Sequence, residues 1–280
     1  MKKPWILWWS GGVTSAIACW IALKLFGKGN CWILFIDTFN EDDDTYRFKE
    51  DCEKWYGHPI ETVTAIGQKF KEIKEIWYHF KSLNNATGAI CSSTLKRDVR
   101  VKWLAVNDWE GNVFGFDIDE PKRIKGMTMN WEKINPVYPL AFYGYTKKKC
   151  IEILQSKGIE IPRMYKAGFN NNNCWKTGCV QGGIGYWQLM RVVRPEIFDT
   201  MAIVEHEITD LKGEPVTMLK DQSKHGGLVF LKPHPNYPLM KDISMMKGRP
   251  VKPLFECNGF CGTNDLQPNE TMQEINYIVD

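Results

Sequence analysis

Trp5-Ile6-Leu7-Trp8-Trp9-Ser10-Gly11-Gly12-Val13-Thr14-Ser15, running straight into Ala16-Ile17-Ala18-Cys19-Trp20-Ile21-Ala22-Leu23, reads as a buried strand, a tight loop and a helix. Two adjacent glycines let the backbone turn sharply and approach a ligand with no Cβ in the way. The first amides of the following helix have no partner within it, and its positive dipole end faces the loop, so the unit is suited to hold an anion. Ser10 and Ser15 add hydroxyl donors. A plain strand-to-helix turn is the simpler alternative. The longer Gly-x-x-x-x-Gly-Lys-Ser/Thr loop of common nucleoside triphosphatases occurs nowhere in the chain.

Working outward, Cys31 to Thr38 is a nearly continuous apolar run, the pattern of a parallel strand covered on both faces. Glu41-Asp42-Asp43-Asp44 opens a helix through about Tyr56, closed by Gly57 and Pro59. Ile60 to Thr64 predicts a third strand, Lys69 to Phe80 and Leu95 to Asn107 two helices, and Asn112 to Ile118 a further strand. Thr146 to Lys157 predicts another helix, capped by Thr146 and stopped by Gly158. Strands alternating with helices, without hairpin signals, imply an α/β fold with a doubly wound parallel sheet. Ligands in such sheets sit at the carboxyl ends of the strands, where Ser10–Ser15, Asp37-Thr38 and Asp117–Glu120 converge. Residues 1–160 are expected to form the nucleotide-binding α/β domain, and 161–280 a helical and irregular cysteine-bearing region packed on it.

The chain has 280 residues, 44% hydrophobic and 13% aromatic, enough for a large core. With 36 basic and 33 acidic side chains the net charge is +3, too small for a strong field toward nucleic acid or membrane. The glycine loop interrupts the first apolar run too early for a secretory or membrane segment, so a cytoplasmic protein without a membrane partner is expected. Nine cysteines, an odd number, argue against a disulfide framework.

Asp37 and Thr38 suit hydrogen bonds to an adenine edge or ribose, with a helix-capping carboxylate as the alternative. Lys96, Arg97 and Arg100 lie within one helical turn and can face a phosphate or sulfate, unless they form a solvated basic face. Asp117 at a strand end and Arg123 shortly after fall on the same side of the sheet, as would a simple helix start. Cys174 and Cys179, with Cys257 and Cys261, are two close pairs suited to a four-thiolate zinc or iron–sulfur site, or are free core thiols. Cys91, beside basic groups, is a secondary candidate for a ligand or reactive thiol.

Together these segments resemble the phosphoadenosine phosphosulfate reductase-like family of the adenine nucleotide α-hydrolase superfamily, whose pyrophosphate (PP) loop reads Ser-Gly-Gly-x-x-Ser. The resemblance extends through Phe35-Ile36-Asp37-Thr38, Asp44-Thr45-Tyr46-Arg47-Phe48, Cys91 to Arg97, and Gly115-Phe116-Asp117 with Glu120 and Arg123. It is most specific in Gly168-Phe169-Asn170-Asn171-Asn172-Asn173-Cys174 and Gly178-Cys179-Val180-Gln181-Gly182-Gly183-Ile184-Gly185-Tyr186-Trp187. It implies that Ser10, Gly11, Gly12, Val13, Thr14 and Ser15 hold the phosphates of ATP or a related adenylyl nucleotide. Asp37, Thr38, Asp117 and Arg123 would line the nucleoside side, and Lys96 and Arg97 would act on the anionic end. Magnesium would accompany the phosphates, Cys174, Cys179, Cys257 and Cys261 would hold an iron–sulfur cluster or zinc, and a thiol reductant or sulfur donor would be a partner.

Three features depart from the family. Thr14 stands where many superfamily ligases have Asp, four residues rather than two separate Cys174 from Cys179, and a C-terminal Glu-Cys-Gly-Leu-His is missing. The implied activity is action at an α-phosphate to activate a substrate or move sulfur. Its rivals are a sulfonucleotide reductase, a nucleic-acid sulfur-modification enzyme and a nucleotide-binding module without turnover.

Overall fold

The computed structural model describes residues 2–85, 88–252 and 278–279. Five parallel strands form the central sheet: β1 (Trp5–Trp9), β2 (Cys31–Asp37), β3 (Ile60–Thr64), β4 (Gly111–Val113) and β5 (Pro136–Val137). Their spatial order is β3-β2-β1-β4-β5, and the two-residue strand Ile278–Val279 pairs antiparallel with β3 at the edge. The order reverses between β1 and β4, so the loop after β1 opens at the point where successive crossovers diverge.

Alternation along the strands divides the core in two. Leu7, Trp9, Ile33, Phe35 and Val113 pack against α1 (Val13–Phe26), α2 (Asp43–Tyr56) and, later in the chain, Lys147–Ser156. Ile6, Trp8, Leu34, Ile36 and Phe114 face the opposite layer, which contains α3 (Ile73–Phe80) and α4 (Asp98–Val106). Because both faces are covered, β1 and β2 are apolar at nearly every position, as the sequence implies. Asp42 caps α2 by accepting from the Asp44 N–H, and Gly57 in left-handed conformation closes it.

Four departures from the sequence reading have local causes. The helix expected from Lys69 begins at Ile73, because Gly67 donates to the Phe70 carbonyl at 2.7 Å and this turn tucks Phe70 into the core. The helix expected from Leu95 continues an earlier helical turn, Ile90–Ser92, through a π-helical turn at Ser93–Arg97. The strand expected over 112–118 leaves the regular ladder after Val113, where the chain bends past the start of α1.

Beyond α5 (Pro121–Asn130) and the expected α6 (Lys147–Ser156), the chain builds α7 (Ile184–Val193) and α8 (Pro195–Lys212). These are followed by a three-stranded sheet of β6 (Leu219–Asp221), β7 (Gly227–Phe230) and β8 (Lys241–Asp242). The β6–β7 hairpin is the fourth departure. Its turn depends on Gly226, where a Cβ would lie 1.9 Å from the Asp221 carbonyl oxygen. No described helix is long and apolar enough to cross a membrane.

Candidate functional site

The loop Ser10–Ser15 lies at the carboxyl end of the central strand β1 and leads into α1. Gly11 has φ +83°, and a Cβ there would sit 2.8 Å from Thr45 Cγ2. Only glycine meets both conditions without strain. Gly115, just beyond β4, serves the same end from the neighbouring strand: a Cβ on it would be 2.6 Å from Ser15 Cα and 2.7 Å from Ser15 N. Its bareness lets the first turn of α1 press against the sheet edge. Gly12, the N-cap of α1, has no side chain to cap it, and the Val13 N–H donates to the Tyr165 hydroxyl at 3.3 Å.

The serines brace this loop from within. Ser15 Oγ accepts from the Ser10 N–H at 3.0 Å, lies 3.0 Å from Ser10 Oγ, and donates to the Gly12 carbonyl at 2.9 Å. Thr14 is buried in the same turn.

At the end of β2, Asp37 accepts from the Phe39 N–H at 2.7 Å and the Tyr46 hydroxyl at 3.0 Å. Thr38 donates through its hydroxyl to Glu41 at 3.1 Å, and Glu41 also meets Lys96 at 3.3 Å. All four of Asp37, Thr38, Glu41 and Lys96 are buried. Burial, reinforced by the neighbouring Glu41 charge, pushes the Asp37 pKa up to about 7. Burial also opposes ionisation of Glu41, but the Lys96 ammonium and the surrounding hydrogen bonds outweigh it and hold that pKa below its usual value. Glu41 is the member of this network that the sequence did not single out; its signal was only an acidic run read as a helix start.

The basic triplet does not form one face. Lys96 turns to Glu41, Arg97 pairs with Asp98 at 3.0 Å, and the Arg100 guanidinium lies 4.7 Å from the Trp8 ring and 5.5 Å from that of Phe114. Lys96 and Arg97 nevertheless share the π-helical turn, a rare geometry common at functional sites. Nη2 of Arg97 is buried without a hydrogen-bond partner. Asp117 accepts from the Lys147 N–H at 3.1 Å and the Asp119 N–H at 2.9 Å, tying the end of β4 to the start of α6. Arg123 pairs with Glu120 and lies 4.2 Å from the Phe116 ring. Asp117 thus follows β4 at its carboxyl end and Arg123 lies in the next helix, each with a bracing role.

Residues 170–177 cross this edge as a strap. Asn170 accepts from Lys147 Nζ at 2.9 Å through its carbonyl, and Asn172 Nδ2 donates to the Gly11 carbonyl and to Thr45 Oγ1, each at 2.9 Å. Further on, the Trp175 and Lys176 N–H groups donate to the Asn40 carbonyl at 3.0 and 3.2 Å, and Asn40 Nδ2 donates to Thr177 Oγ1 at 2.6 Å.

Cys174 on the strap and Cys179 just beyond it are both buried and approach Tyr186; burial, then the charges of Cys179 and Cys174, raise the pKa of that phenol. Cys257 and Cys261 lie outside the described residues. Among the described residues no three His, Cys, Asp or Glu side chains stand close enough together to hold a metal. Cys91 is buried in the segment leading into the π turn.

No family model matches the chain. It is 27% identical over 193 residues to an uncharacterized protein of Methanocaldococcus jannaschii, a match covering 65% of this chain and 38% of that protein. The chain therefore spans well under half of that relative's length.

Proposed function

We propose that this chain is an enzyme that binds ATP or a related adenylyl nucleotide and acts at its α-phosphate, as the resemblance to the phosphoadenosine phosphosulfate reductase-like family implies. The observation that carries this reading is the glycine loop at the carboxyl end of β1. It stands at the reversal of strand order, and Gly11 and Gly115 keep Cβ atoms out of the space around the start of α1. Phosphates would rest against the amides of Gly11 to Ser15, and the nucleoside would lie toward Asp37 and Thr38 on the adjacent strand.

In this reading the backbone amides and the basic π turn stabilise charge on the phosphate oxygens as the α-phosphate bond breaks, and removing one such contact costs about a hundredfold or more in rate. The buried Lys96–Glu41 pair holds its ammonium in one place. Arg97, with one buried guanidinium nitrogen unsatisfied, has a donor left to give to an anionic oxygen. Magnesium needs only one or two carboxylates when phosphates complete its shell, so it would arrive with the nucleotide and neutralise phosphate charge.

Cys174, on the strap that crosses the site, favours sulfur handling over plain adenylyl transfer. Cys174 and Cys179, together with Cys257 and Cys261, would supply thiolates to zinc or an iron–sulfur cluster. The test is product analysis with ATP labelled at the α-phosphate, in the presence of a thiol or sulfide donor. Label in AMP or an adenylylated product, with pyrophosphate released, supports the reading. Label in ADP, or nucleotide bound but unaltered across donors, points to another reaction or to a binding module, and sulfite from a sulfonucleotide would identify a reductase.

A further inference from the structure

Asn173 is buried, with 7% of its surface exposed, and neither its Oδ1 nor its Nδ2 has a hydrogen-bond partner in the protein. Buried amides are almost always satisfied in folded proteins, because stripping water from both a donor and an acceptor without replacement is unfavourable. Its neighbours on the strap are pinned. Asn172 is held on the Gly11 carbonyl at the end of β1, and Trp175 on the Asn40 carbonyl just past β2. Three residue steps cover at most about 11 Å, and adjacent strands are about 4.8 Å apart, so Asn173 spans the gap between the phosphate loop and the end of β2. Oδ1 of Asn172 is likewise buried and unsatisfied.

We propose that Asn173 is a ligand-binding residue of the nucleotide site, with its amide meeting the junction between phosphate and nucleoside: Nδ2 donates to an α-phosphate oxygen and Oδ1 accepts from a ribose hydroxyl. This rests on the nucleotide reading above and adds to it a residue on the C-terminal strap, outside the loop, the β2 end and the basic turn. A side chain that offers one donor and one acceptor fits a ligand part presenting both, as the ribose–phosphate junction does. Neither amide atom is hydrogen-bonded within the fold, so its loss should separate binding from stability.

The experiment measures equilibrium affinity for ATP and for AMP, together with thermal stability of the unliganded protein, in wild type, Asn173→Ala and Asn173→Asp. AMP retains the α-phosphate and ribose but lacks the β- and γ-phosphates. Asn173→Ala is expected to melt at or above the wild-type temperature and to weaken ATP and AMP by a similar factor, about ten- to a hundredfold. Asn173→Asp, close in shape but anionic, should weaken both more. If wild type binds nucleotide and Asn173→Ala binds it equally well, the assignment of Asn173 falls and the nucleotide reading stands. A lower melting temperature with intact affinity marks a structural residue and also overturns it. If wild type binds neither ATP nor AMP, the assignment falls together with the nucleotide reading.

Discussion

Replacing Gly11 by alanine tests the loop with an effect that can be worked out beforehand. Two penalties add. An L residue in the left-handed region, here φ +83°, costs about 1–2 kcal/mol. The new Cβ would stand 2.8 Å from Thr45 Cγ2, an overpacked contact costing about 1–3 kcal/mol. The sum, about 2–5 kcal/mol, corresponds to a fall of roughly 3–9 °C in melting temperature for a chain of this size. Thr45→Ser removes Cγ2 while keeping the hydroxyl that accepts from Asn172, so Gly11→Ala with Thr45→Ser should recover the steric part and leave the backbone part. Differential scanning calorimetry reads stability, and titration with ATP reads the loop. Nucleotide affinity should fall in both variants, because the strained backbone is also the proposed phosphate cradle. A Gly11→Ala protein as stable as wild type, or destabilised with no rescue by Thr45→Ser, would refute the steric argument; undiminished ATP affinity would refute the loop assignment.

Gly115→Ala should be harsher than Gly11→Ala, since its Cβ would meet the Ser15 backbone rather than a side chain that can turn away; a melting curve unchanged from wild type would contradict this. Asp37 holds its proton more tightly when folded, with a pKa near 7 against an ordinary 3.8, so its contribution to stability is complete below pH about 4 and lost as pH rises through about 7. Asp37→Asn should therefore flatten the stability profile across that window, as urea midpoints measured from pH 4 to 8 would show. Glu205, fully buried between α8 and the small sheet, has its pKa raised to about 8 by burial and accepts from the Met218 and Leu231 N–H groups at 2.9 and 2.7 Å. Glu205→Gln should keep most of the stability and remove its decline through pH 8, whereas Glu205→Leu should lose about 2–5 kcal/mol by stranding two buried donors, measured by chemical denaturation. Cys174→Ser should release bound zinc or iron, read by elemental analysis of protein purified without oxygen, and full retention of metal would count against a thiolate site there.

The central sheet was legible because its physics is local. Continuous apolar runs such as Cys31–Asp37 announce strands covered on both faces, and Gly11, Gly57 and Thr146 sit at the boundaries their chemistry requires. The loop and Asp37-Thr38 could be placed at one edge because each follows a strand of a parallel sheet at its carboxyl end. What the sequence hid were partnerships between distant residues. Nothing near Lys96 reveals that its ammonium turns to Glu41, and nothing near Asn172 reveals a bond to Gly11 across more than a hundred and fifty residues. The triplet Lys96, Arg97 and Arg100 looked like one basic face because helical spacing was assumed, while the π turn and separate partners disperse it. The small sheet escaped because strands as short as Leu219–Asp221 carry too few residues for a period to show.

The most direct measurement is a crystal structure of the protein grown with ATP and magnesium. The expected complex has phosphates against the backbone of Gly11 to Ser15, the ribose and base toward Asp37 and Thr38, and the Asn173 amide at their junction. Nucleotide bound elsewhere on the chain, or no nucleotide at saturating concentration with the loop unchanged, would contradict it.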